Sequence, residues 1–406
     1  MLRLLIENIY PSKFRFVELT MEVSLKDIGT IITGNTPSKK DKKYWDSKDI
    51  CFVKPDIIGD DIDSITNSNE YISNFASSKA RIVKRNTILI TCIGNIGRIG
   101  IVSKEKIAFN QQINAIIPNS KINLRYLAYV LLFSRPRLKA LANAAVVPIV
   151  NKTQLESFKI EIDPELEHQD KIANTLDEIE KIKKIQNKEI EYLDTLIKAR
   201  FVEMFGDPMI KKDDRNLRKL KEICIINPKK NLASKFSNDI EVSFVPMSSV
   251  SEQGDIDVSQ RKNYSEVRKG FTYFAENDVL FAKITPCMEN GKGAIATGLI
   301  NGIGFGSTEF HILRPIKNIT NPYWIYVLTS FKSFRKLAEV NMTGSAGQRR
   351  VPATFLKDYE VRLPPIELQN EFASFVQQVD KSKVAIQKSL DETQTLFDSL
   401  MQKYFS

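Results

Sequence analysis

Two long segments of the chain carry apolar residues at alternating spacings of four and three. In the first segment these residues form a single line, which Lys183 and Gln186 interrupt. Such spacing over about 35 residues predicts a long helix, and it favours a coiled coil over a helix packed only on its own domain. We assign to this first seam Ile172, Leu176, Ile179, Ile190, Leu193 and Ile197.

The same pattern returns 200 residues later. Gln169 and Gln369 are 200 positions apart, and so are Lys183 and Lys383. Two independent helices would seldom agree at so many positions, so we infer an internal duplication. The second seam consists of Phe372, Val376, Val379, Leu390 and Phe397.

The region before each long helix has the pattern of short strands and helices. Runs rich in β-branched and aromatic residues, such as "TILITCI" and "VLFAKI", are bounded by Gly, Asn and Pro. Further helices are expected near residues 124–141 and 322–338. The predicted fold class is α+β, with two mixed α/β domains related by the repeat and separated by two long helices.

The order of these segments fixes how the two helices can pair. The first helix ends at "FGDP" and leads into the second α/β domain, which the second helix follows. If the helices pair, they must be antiparallel and form an intramolecular coiled coil. The predicted segments are an N-terminal segment 1–22, a first α/β domain 23–165, a first spacer helix 166–206, a second α/β domain 207–365 and a second spacer helix 366–406.

The charge and composition narrow the class of partner. A net charge of +10 favours a polyanion such as nucleic acid, without requiring one. No apolar run is long enough for a transmembrane helix, and the N-terminus lacks the cleavage site of a signal peptide. Four scattered cysteines and two histidines argue against disulfides and a zinc site. We therefore expect a cytoplasmic protein with no membrane contact and no metal.

Loops of the first α/β domain supply cations, amides and an aromatic pair. Lysines in "GNTPSKKDKKYW" could neutralise phosphates, and amides in "FNQQIN" could pair with adenine. The alternatives are a solvated lysine loop, a Trp45 that anchors the core, and amides that satisfy a turn. The candidate DNA-binding residues here are Lys39, Lys40, Lys42, Lys43, Tyr44, Arg98, Gln111 and Gln112.

Two glycine-bearing loops of the second α/β domain also carry donors. In "GSAGQRRV" the small residues permit close approach of the backbone to a ligand, whereas a flexible surface loop is an equally good interpretation. "MENGKG" parallels "NIGRIG" of the first domain, because both place a cation after a glycine. The candidate residues are Lys283, Asn290, Lys292, Gln348, Arg349 and Arg350.

Taken together, these motifs resemble the specificity subunit of type I restriction-modification enzymes. The resemblance rests on "GNTPSKKDKKYW", "NTILITCIGNIGRIGIV", "LIKARFVEMFGDP", "ITPCMENGKGAIA", "GSTEFHILRP" and "PPIELQNEF", and it covers essentially the whole chain. It implies two target recognition domains that each read half of a split double-stranded DNA site. It also implies two methyltransferase subunits that bring S-adenosylmethionine and modify adenine, and restriction subunits that use ATP and Mg²⁺.

No motif predicts that the chain itself is an enzyme. It lacks a glycine-rich cofactor loop, a Walker loop and a convincing nuclease cluster, and "NPYW" is more simply a helix start. We expect a non-catalytic chain without a cofactor of its own. The alternative function is a coiled-coil structural adaptor whose two globular units bind proteins.

Overall fold

The computed structural model describes residues 20–142, 147–208, 217–229, 239–345 and 347–406. They belong to two compact units, the first within Met1–Ile185 and Ser389–Ser406 and the second within Gln186–Lys388. Each long helix therefore contributes one part to each unit. The boundaries predicted from the sequence treat the long helices as segments of their own, and they stay a prediction.

The first unit is built from short strands and short helices that precede one long helix. Its strands are β1 (Met21–Ser24), β2 (Gly29–Thr33), β3 (Ile50–Val53), β4 (Ile62–Ile65), β5 (Glu70–Ile72), β6 (Ile82–Lys84), β7 (Ile88–Thr91), β8 (Ile99–Val102), β9 (Lys106–Phe109), β10 (Ile113–Pro118) and β11 (Lys159–Ile162). Its helices are α1 (Leu25–Ile28), α2 (Leu124–Phe133), α3 (Arg135–Ala140), α4 (Lys152–Glu156) and the first part of α5 (Leu166–Phe205).

The second unit repeats this order of elements. Its strands are β12 (Leu217–Lys219), β13 (Cys224–Ile226), β14 (Glu241–Val245), β15 (Arg261–Asn263), β16 (Thr272–Ala275), β17 (Val279–Ala282), β18 (Gly293–Ile295), β19 (Ile303–Gly306), β20 (Phe310–Pro315) and β21 (Glu360–Arg362). Its helices are α6 (Leu220–Ile223), α7 (Tyr264–Val267), α8 (Pro322–Ser330), α9 (Lys332–Val340), α10 (Ala353–Asp358) and the first part of α11 (Ile366–Phe405).

The sheets of the two units have matching strand orders. The first unit contains a pair β1-β11, a sheet β2-β10-β7-β8-β4 and a sheet β5-β3-β9-β6. The second contains β12-β21, β13-β20-β17-β18 and β15-β14-β19-β16. Even the one parallel pairing in the small sheet is repeated, as β3 with β9 and as β14 with β19. The mixed α/β fold and its internal repeat are thus confirmed, and β4 has no counterpart among the described strands of the second unit.

The two shorter helices predicted near residues 124–141 and 322–338 are each divided in two. The first breaks at Ser134, which separates α2 from α3. Pro136 falls in the first turn of α3, where a missing N–H costs no helical hydrogen bond. The second breaks at Phe331, whose extended backbone (φ −61°, ψ 135°) separates α8 from α9. A hydrophobic pattern alone does not show such breaks, because it continues across them.

Each unit packs its own parts of the long helices into its hydrophobic core. In the first unit Leu176 of α5 and Phe397 of α11 belong to a core that includes Tyr126 and Tyr129 of α2. In the second unit Phe201 of α5 and Phe372 of α11 belong to a core with Trp324 and Phe334. Phe201 and Phe372 meet edge to face at 5.5 Å between ring centroids. These aromatic contacts bury the helix stripe that the apolar spacing predicts.

The predicted seams are buried or half-buried along both helices. Ile190, Leu193 and Leu390 are half-buried. The other seam positions are at most 7% exposed: Ile172, Leu176, Ile179, Ile197, Phe372, Val376, Val379 and Phe397.

The pairing of α5 with α11 is antiparallel. Within the second unit, Arg200 contacts Glu371 at 3.4 Å, and Asp194 forms an ion pair with Lys383. The residue numbers in these contacts therefore decrease along α5 as they increase along α11. The matching Lys183 is buried in the first unit, where it lies over the Phe397 ring at 4.7 Å and pairs with Glu180 at 3.0 Å.

A buried glutamine fixes the start of each long helix. Gln169 accepts a hydrogen bond from the Asn123 backbone N–H at 2.7 Å and donates to the Asp163 carbonyl at 2.7 Å. Gln369 accepts from the Asn321 N–H at 2.9 Å and donates to the Pro364 carbonyl at 2.8 Å. Both side chains are fully buried. The repeated glutamine thus ties the strand-to-helix turn to the helix beside it in each unit, which accounts for its return after 200 residues.

Candidate nucleic-acid interface

Four loops of the first unit lie next to one another where the strands of its sheets end. We call residues 34–45, 91–98, 110–112 and 147–150 the first loop cluster. The Asn35 N–H donates to the Phe109 carbonyl at 3.0 Å, and the Cys92 N–H donates to the Gln112 carbonyl at 2.8 Å. Gly94 donates to the Pro148 carbonyl at 3.0 Å. These backbone bonds bring three of the predicted sequence motifs onto one surface.

The lysine loop of this cluster is a short 3₁₀ turn with exposed ammonium groups. Lys42–Tyr44 form the turn, and the Asp41 carboxylate caps it by accepting from the Lys43 N–H at 3.2 Å. Lys40, Lys42 and Lys43 are exposed and have no ion pair among the described residues. Lys39 differs, because it approaches Glu70 at 3.5 Å and the Trp45 ring at 5.2 Å. Three of the four lysines are therefore available to a polyanion.

The aromatic pair beside these lysines has two distinct environments. Trp45 meets Phe52 edge to face at 5.1 Å, and its indole N–H donates to the Ser38 carbonyl at 3.3 Å. Its ring therefore anchors the loop to the core, as the alternative interpretation of Trp45 expects. Tyr44 stacks on Phe75 at 5.8 Å, and Phe75 is 64% exposed. The Tyr44–Phe75 stack is thus an aromatic surface at the edge of the lysine loop.

The other three predicted residues of the first unit already have protein partners. Gln111 accepts a hydrogen bond from the Thr36 hydroxyl at 2.7 Å, and Gln112 accepts from the Asn110 amide at 2.8 Å. Arg98 donates from Nε and Nη2 to the two oxygens of Asp60, each at 3.2 Å. These contacts hold the loops together, and the exposed Gln111 retains free donors on its amide.

A matching set of loops lies at the strand ends of the second unit. We call residues 283–292, 307–309, 343–345 and 347–351 the second loop cluster. Lys283 donates from its backbone N–H to the Glu309 carbonyl at 2.9 Å, as Cys92 does to Gln112 in the first unit. The Val351 N–H donates to the Lys283 carbonyl at 2.9 Å. Lys283, Arg349 and Arg350 are therefore neighbours, although the arginines stand 66 and 67 positions after the lysine.

The glycine-bearing loop of this cluster is a hairpin. Thr343 and Arg350 exchange backbone hydrogen bonds of 3.0 and 2.8 Å. Gly344 and Gly347 have positive φ angles of 116° and 81°, which other residues rarely adopt. The two glycines therefore build the turn, and the exposed Gln348 lies near its end.

The two arginines of the hairpin are held by carboxylates to different degrees. Arg350 donates from Nε and Nη2 to both oxygens of Glu309, each at 2.9 Å. Arg349 is held more loosely, with Nη2 at 3.8 Å from Glu289 and 3.7 Å from Glu339. The Arg350 hydrogen bonds lower the pKa of the Glu309 carboxyl and raise that of Arg350. Arg349 is the more available of the two for a phosphate or a base.

The remaining predicted residues of the second unit lie on a turn beside the hairpin. Asn290 is exposed, and its side chain has no hydrogen-bond partner among the residues that the structure describes. Lys292 is half-buried and donates to the Met247 carbonyl at 3.2 Å. Lys283 is also half-buried. Asn290 and Gln348 are therefore the most accessible side-chain amides on this surface, and Arg349 beside them is half-buried.

Sequence reasoning missed the side chains that hold these loops in place. His311 is 5% exposed, and its Nε2–H donates to the Val351 carbonyl at 2.8 Å while Nδ1 accepts from the Asn227 amide at 3.0 Å. Burial lowers the pKa of His311, in keeping with a neutral ring that satisfies both nitrogens. Glu309 and Asp60 were also missed. An alignment of the two repeats could have identified Glu309, because it occupies the position in the second repeat that Gln112 occupies in the first.

Metal and membrane chemistry are not indicated by the described part of the chain. No group of three His, Cys, Asp or Glu side chains is arranged as metal ligands among those residues. Nor is any helix there both long enough and apolar enough to span a bilayer. All four cysteines are free thiols.

The fold thus consists of two similar domains, each with a loop cluster at the ends of its strands. The family model described as the type I restriction modification DNA specificity domain matches residues 18–193 and again residues 212–393. The chain therefore belongs to this family and contains two copies of its domain.

The chain is also similar to specificity subunits of type I restriction enzymes. The EcoAI and EcoEI type I restriction enzyme specificity subunits of Escherichia coli are 40% and 38% identical over 189 and 187 residues, which is 45% of this chain. The match spans about a third of the length of these relatives, 31% in each case. The MjaIX specificity subunit of Methanocaldococcus jannaschii is 24% identical and is covered over 91% of its length by 93% of this chain.

Solved structures show the same fold. The S subunit of the type I restriction-modification system from M. genitalium has a TM-score of 0.54 at 13% identity, with 98% of both chains covered. A chain from a structure of type I R-M system assembly and conformational transition also has a TM-score of 0.54, at 16% identity over 97% of this chain and 99% of that one. At these identities the likeness shows the fold alone.

Proposed function

We propose that this chain is the DNA-sequence specificity subunit of a type I restriction-modification complex. Each unit reads one half of a bipartite site in double-stranded DNA. The observation that carries this proposal is the second match of the DNA specificity domain, because it gives one chain two reading domains. The same observation favours DNA recognition over the structural adaptor, since a protein adaptor has no need of that domain.

The loop clusters supply the chemistry that DNA reading needs. Exposed Lys40, Lys42 and Lys43 neutralise phosphates, while the Tyr44–Phe75 stack offers an apolar face to sugar or base. In the second unit the exposed Asn290 and Gln348 and the half-buried Arg349 are the available donors. A net charge of +10 steers the chain to the duplex from solution.

The chemistry on DNA belongs to partner subunits in this proposal. Two methyltransferase subunits bind the chain, carry S-adenosylmethionine and modify adenine within the bipartite site. Restriction subunits that use ATP and Mg²⁺ join the complex and cut the DNA. The chain itself is non-catalytic and requires no cofactor.

The test is adenine methylation mapped across a genome. Cells that contain the chain and its methyltransferase partner are compared with cells that lack only this chain. We expect methylation at one bipartite motif that disappears without the chain, and purified complex that protects the motif in a salt-sensitive footprint. Methylation that is unchanged on deletion would contradict the proposal.

A further inference from the structure

A buried arginine, Arg335 of α9, hydrogen-bonds to backbone carbonyls. It is 4% exposed. Its Nε donates to the Thr329 carbonyl at 2.7 Å, and its Nη1 donates to the carbonyls of Met288 and Lys292, both at 3.2 Å. Its Nη2 donates to the Gly291 carbonyl at 3.2 Å. One planar guanidinium thus satisfies four carbonyls at once.

Three of those carbonyls belong to the turn formed by residues 288–292. Gly291 has a φ of 93° in this turn, so its conformation favours glycine. Asn290 lies on the exposed side of the turn, and its amide has no partner among the described residues. The guanidinium therefore holds this turn from its buried side, and the turn presents the free Asn290 amide on its exposed side.

The environment of Arg335 shows that it is not one half of an ion pair. No carboxylate of the described residues lies within ion-pair distance of it, and its guanidinium stacks over the Phe281 ring at 4.2 Å. Burial lowers its pKa to about 10, so the group stays charged at neutral pH. A buried charge without a countercharge is costly, and an apolar side chain would fill the space at lower cost. The guanidinium group has five N–H donors in one plane, and these donors explain why arginine occupies position 335.

The first unit contains a related arginine at the matching position, although this one also lies 3.6 Å from the Asp60 carboxylate. Arg135 is 200 positions before Arg335. Its Nε donates to the Gly97 carbonyl at 2.7 Å, and its Nη2 donates to the Asp60 carbonyl at 2.6 Å. Both arginines therefore hold the glycine-bearing turn that follows β7 or β17. A feature repeated in both domains belongs to what the domains do in common.

We infer that Arg335 is a positioning residue for DNA reading by the second unit. It fixes the turn of residues 288–292, so that Asn290 meets the DNA in one orientation, while Arg335 itself touches no DNA. Arg135 does the same for residues 94–98 of the first unit. The inference rests on the proposed function, because it names the residue that sets the geometry of one reading surface.

The test measures how each half-site is discriminated by the full chain assembled with its methyltransferase partners. Three duplexes are compared. The first contains the motif identified by methylation mapping, the second has the first half of that motif changed, and the third has its second half changed. Arg335→Lys keeps the charge but cannot reach four carbonyls from one ammonium. We expect discrimination to fall about tenfold at one half-site and to stay at the wild-type level at the other. Arg135→Lys should give the mirror result.

Matched variants separate positioning from simple loss of stability. Phe334→Leu alters the buried neighbour of Arg335, whose ring makes no hydrogen bond to the turn, and Lys336→Ala changes an exposed residue of the same helix. We expect Phe334→Leu to lower Tm at least as much as Arg335→Lys and to keep discrimination. Equal loss of discrimination in both would overturn the inference, as would equal loss at both half-sites in Arg335→Lys.

Asn290→Ala keeps the buried guanidinium and tests the turn directly. It should reduce discrimination at the same half-site as Arg335→Lys, and the double variant should lose little more than either single one. Full discrimination in Asn290→Ala would overturn the inference even where Arg335→Lys does not fold. A wild-type complex that discriminates neither half-site would instead refute the proposed function, so the two failures are distinguishable.

Discussion

The two loop clusters share several backbone hydrogen bonds and differ in the charge of two matched positions. Ile149 forms a backbone bridge with Ile93, and Arg350 forms the equivalent bridge with Ile284. The position of Gln112 in the first cluster is likewise that of Glu309 in the second. An isoleucine and a glutamine in one unit thus correspond to a bidentate Arg350–Glu309 ion pair in the other.

This difference shows which part of the domain is free to vary. The strand orders match apart from β4, and the buried glutamines are the same, because they maintain the core and the helix starts. The side chains on the loop clusters maintain neither, so their charge can change without altering the fold. A pair of domains of this kind can acquire two different DNA specificities by substitution in the loops alone.

Exchange of a whole reading domain should have the largest effect. We replace residues 209–362 with the equivalent segment of a relative and map methylation in the assembled complex. Because the two clusters differ in side chains and belong to separate compact units, one half of the motif should change while the other half is kept. Affinity for the original motif should fall by about a thousandfold or more, towards non-specific binding.

The mirror exchange, of residues 23–165, is the control and should change only the other half. If either exchange altered both halves, the comparison would be wrong, because the units would not read independently.

Removal of the two hairpin arginines should have the next largest effect. Arg349→Ala with Arg350→Ala should weaken binding to all DNA sequences by about ten- to a hundredfold, and the salt slope should fall by about one to two. Arg349 should account for more of the slope, because its carboxylates are 3.7 and 3.8 Å away, whereas Glu309 holds Arg350 at 2.9 Å.

Ile149→Ala at the matched position of the first unit is the control, and it should leave the slope unchanged. A double variant with an unaltered slope would show that the hairpin is ordinary surface. A change confined to one base pair would show that the arginines read bases and do not neutralise phosphates.

Much of this architecture follows from the sequence, whereas the pairing of loop side chains does not. The four-three spacing identifies Leu176 and Phe372 as buried, because an apolar seam that returns after 200 residues indicates the same packed helix face in both copies. The sequence also places the lysines of residues 39–43 on a surface loop. They follow Gly34 and Pro37, and the segment contains no apolar run. No local pattern shows that Arg98 contacts Asp60 or that Arg350 contacts Glu309, because those partners are 38 and 41 residues apart.

The buried glutamines allow a test of the part that the two units share. Gln169→Leu leaves a backbone N–H and one backbone carbonyl without this partner in a buried site. Gln369→Leu leaves a backbone N–H and two backbone carbonyls. Each should lower the free energy of unfolding by about 1–3 kcal/mol. Denaturant unfolding followed by fluorescence and by circular dichroism measures the loss. Because the two sites differ only by the Gln369 contact to the Ile319 carbonyl, the losses should agree within about 1 kcal/mol.

Asn174→Ala, a substitution at an exposed position on the same helix as Gln169, is the control and should be close to neutral. A loss in only one of the two glutamine variants would break the comparison, because it would show that one helix start does not depend on its glutamine.

The ion pair of the second cluster should give the smallest effect, a dependence of stability on pH. Arg350 lowers the pKa of Glu309 below its ordinary value of 4.5. The stabilisation of the folded state by the Arg350–Glu309 ion pair is therefore complete when the pH is above the ordinary pKa of the Glu309 carboxyl. It is lost as the pH falls through the lower pKa of this carboxyl in the folded state. The pair is partly exposed, so Glu309→Gln should cost about 1 kcal/mol or less at pH 7. The difference in the free energy of unfolding between wild type and Glu309→Gln should shrink between about pH 5 and pH 3.

Gln112→Ala, at the uncharged counterpart, is the control and should change the free energy of unfolding by an amount that does not depend on pH. A Glu309→Gln difference that persisted at pH 3 would show that shape, and not charge, holds Arg350 in place.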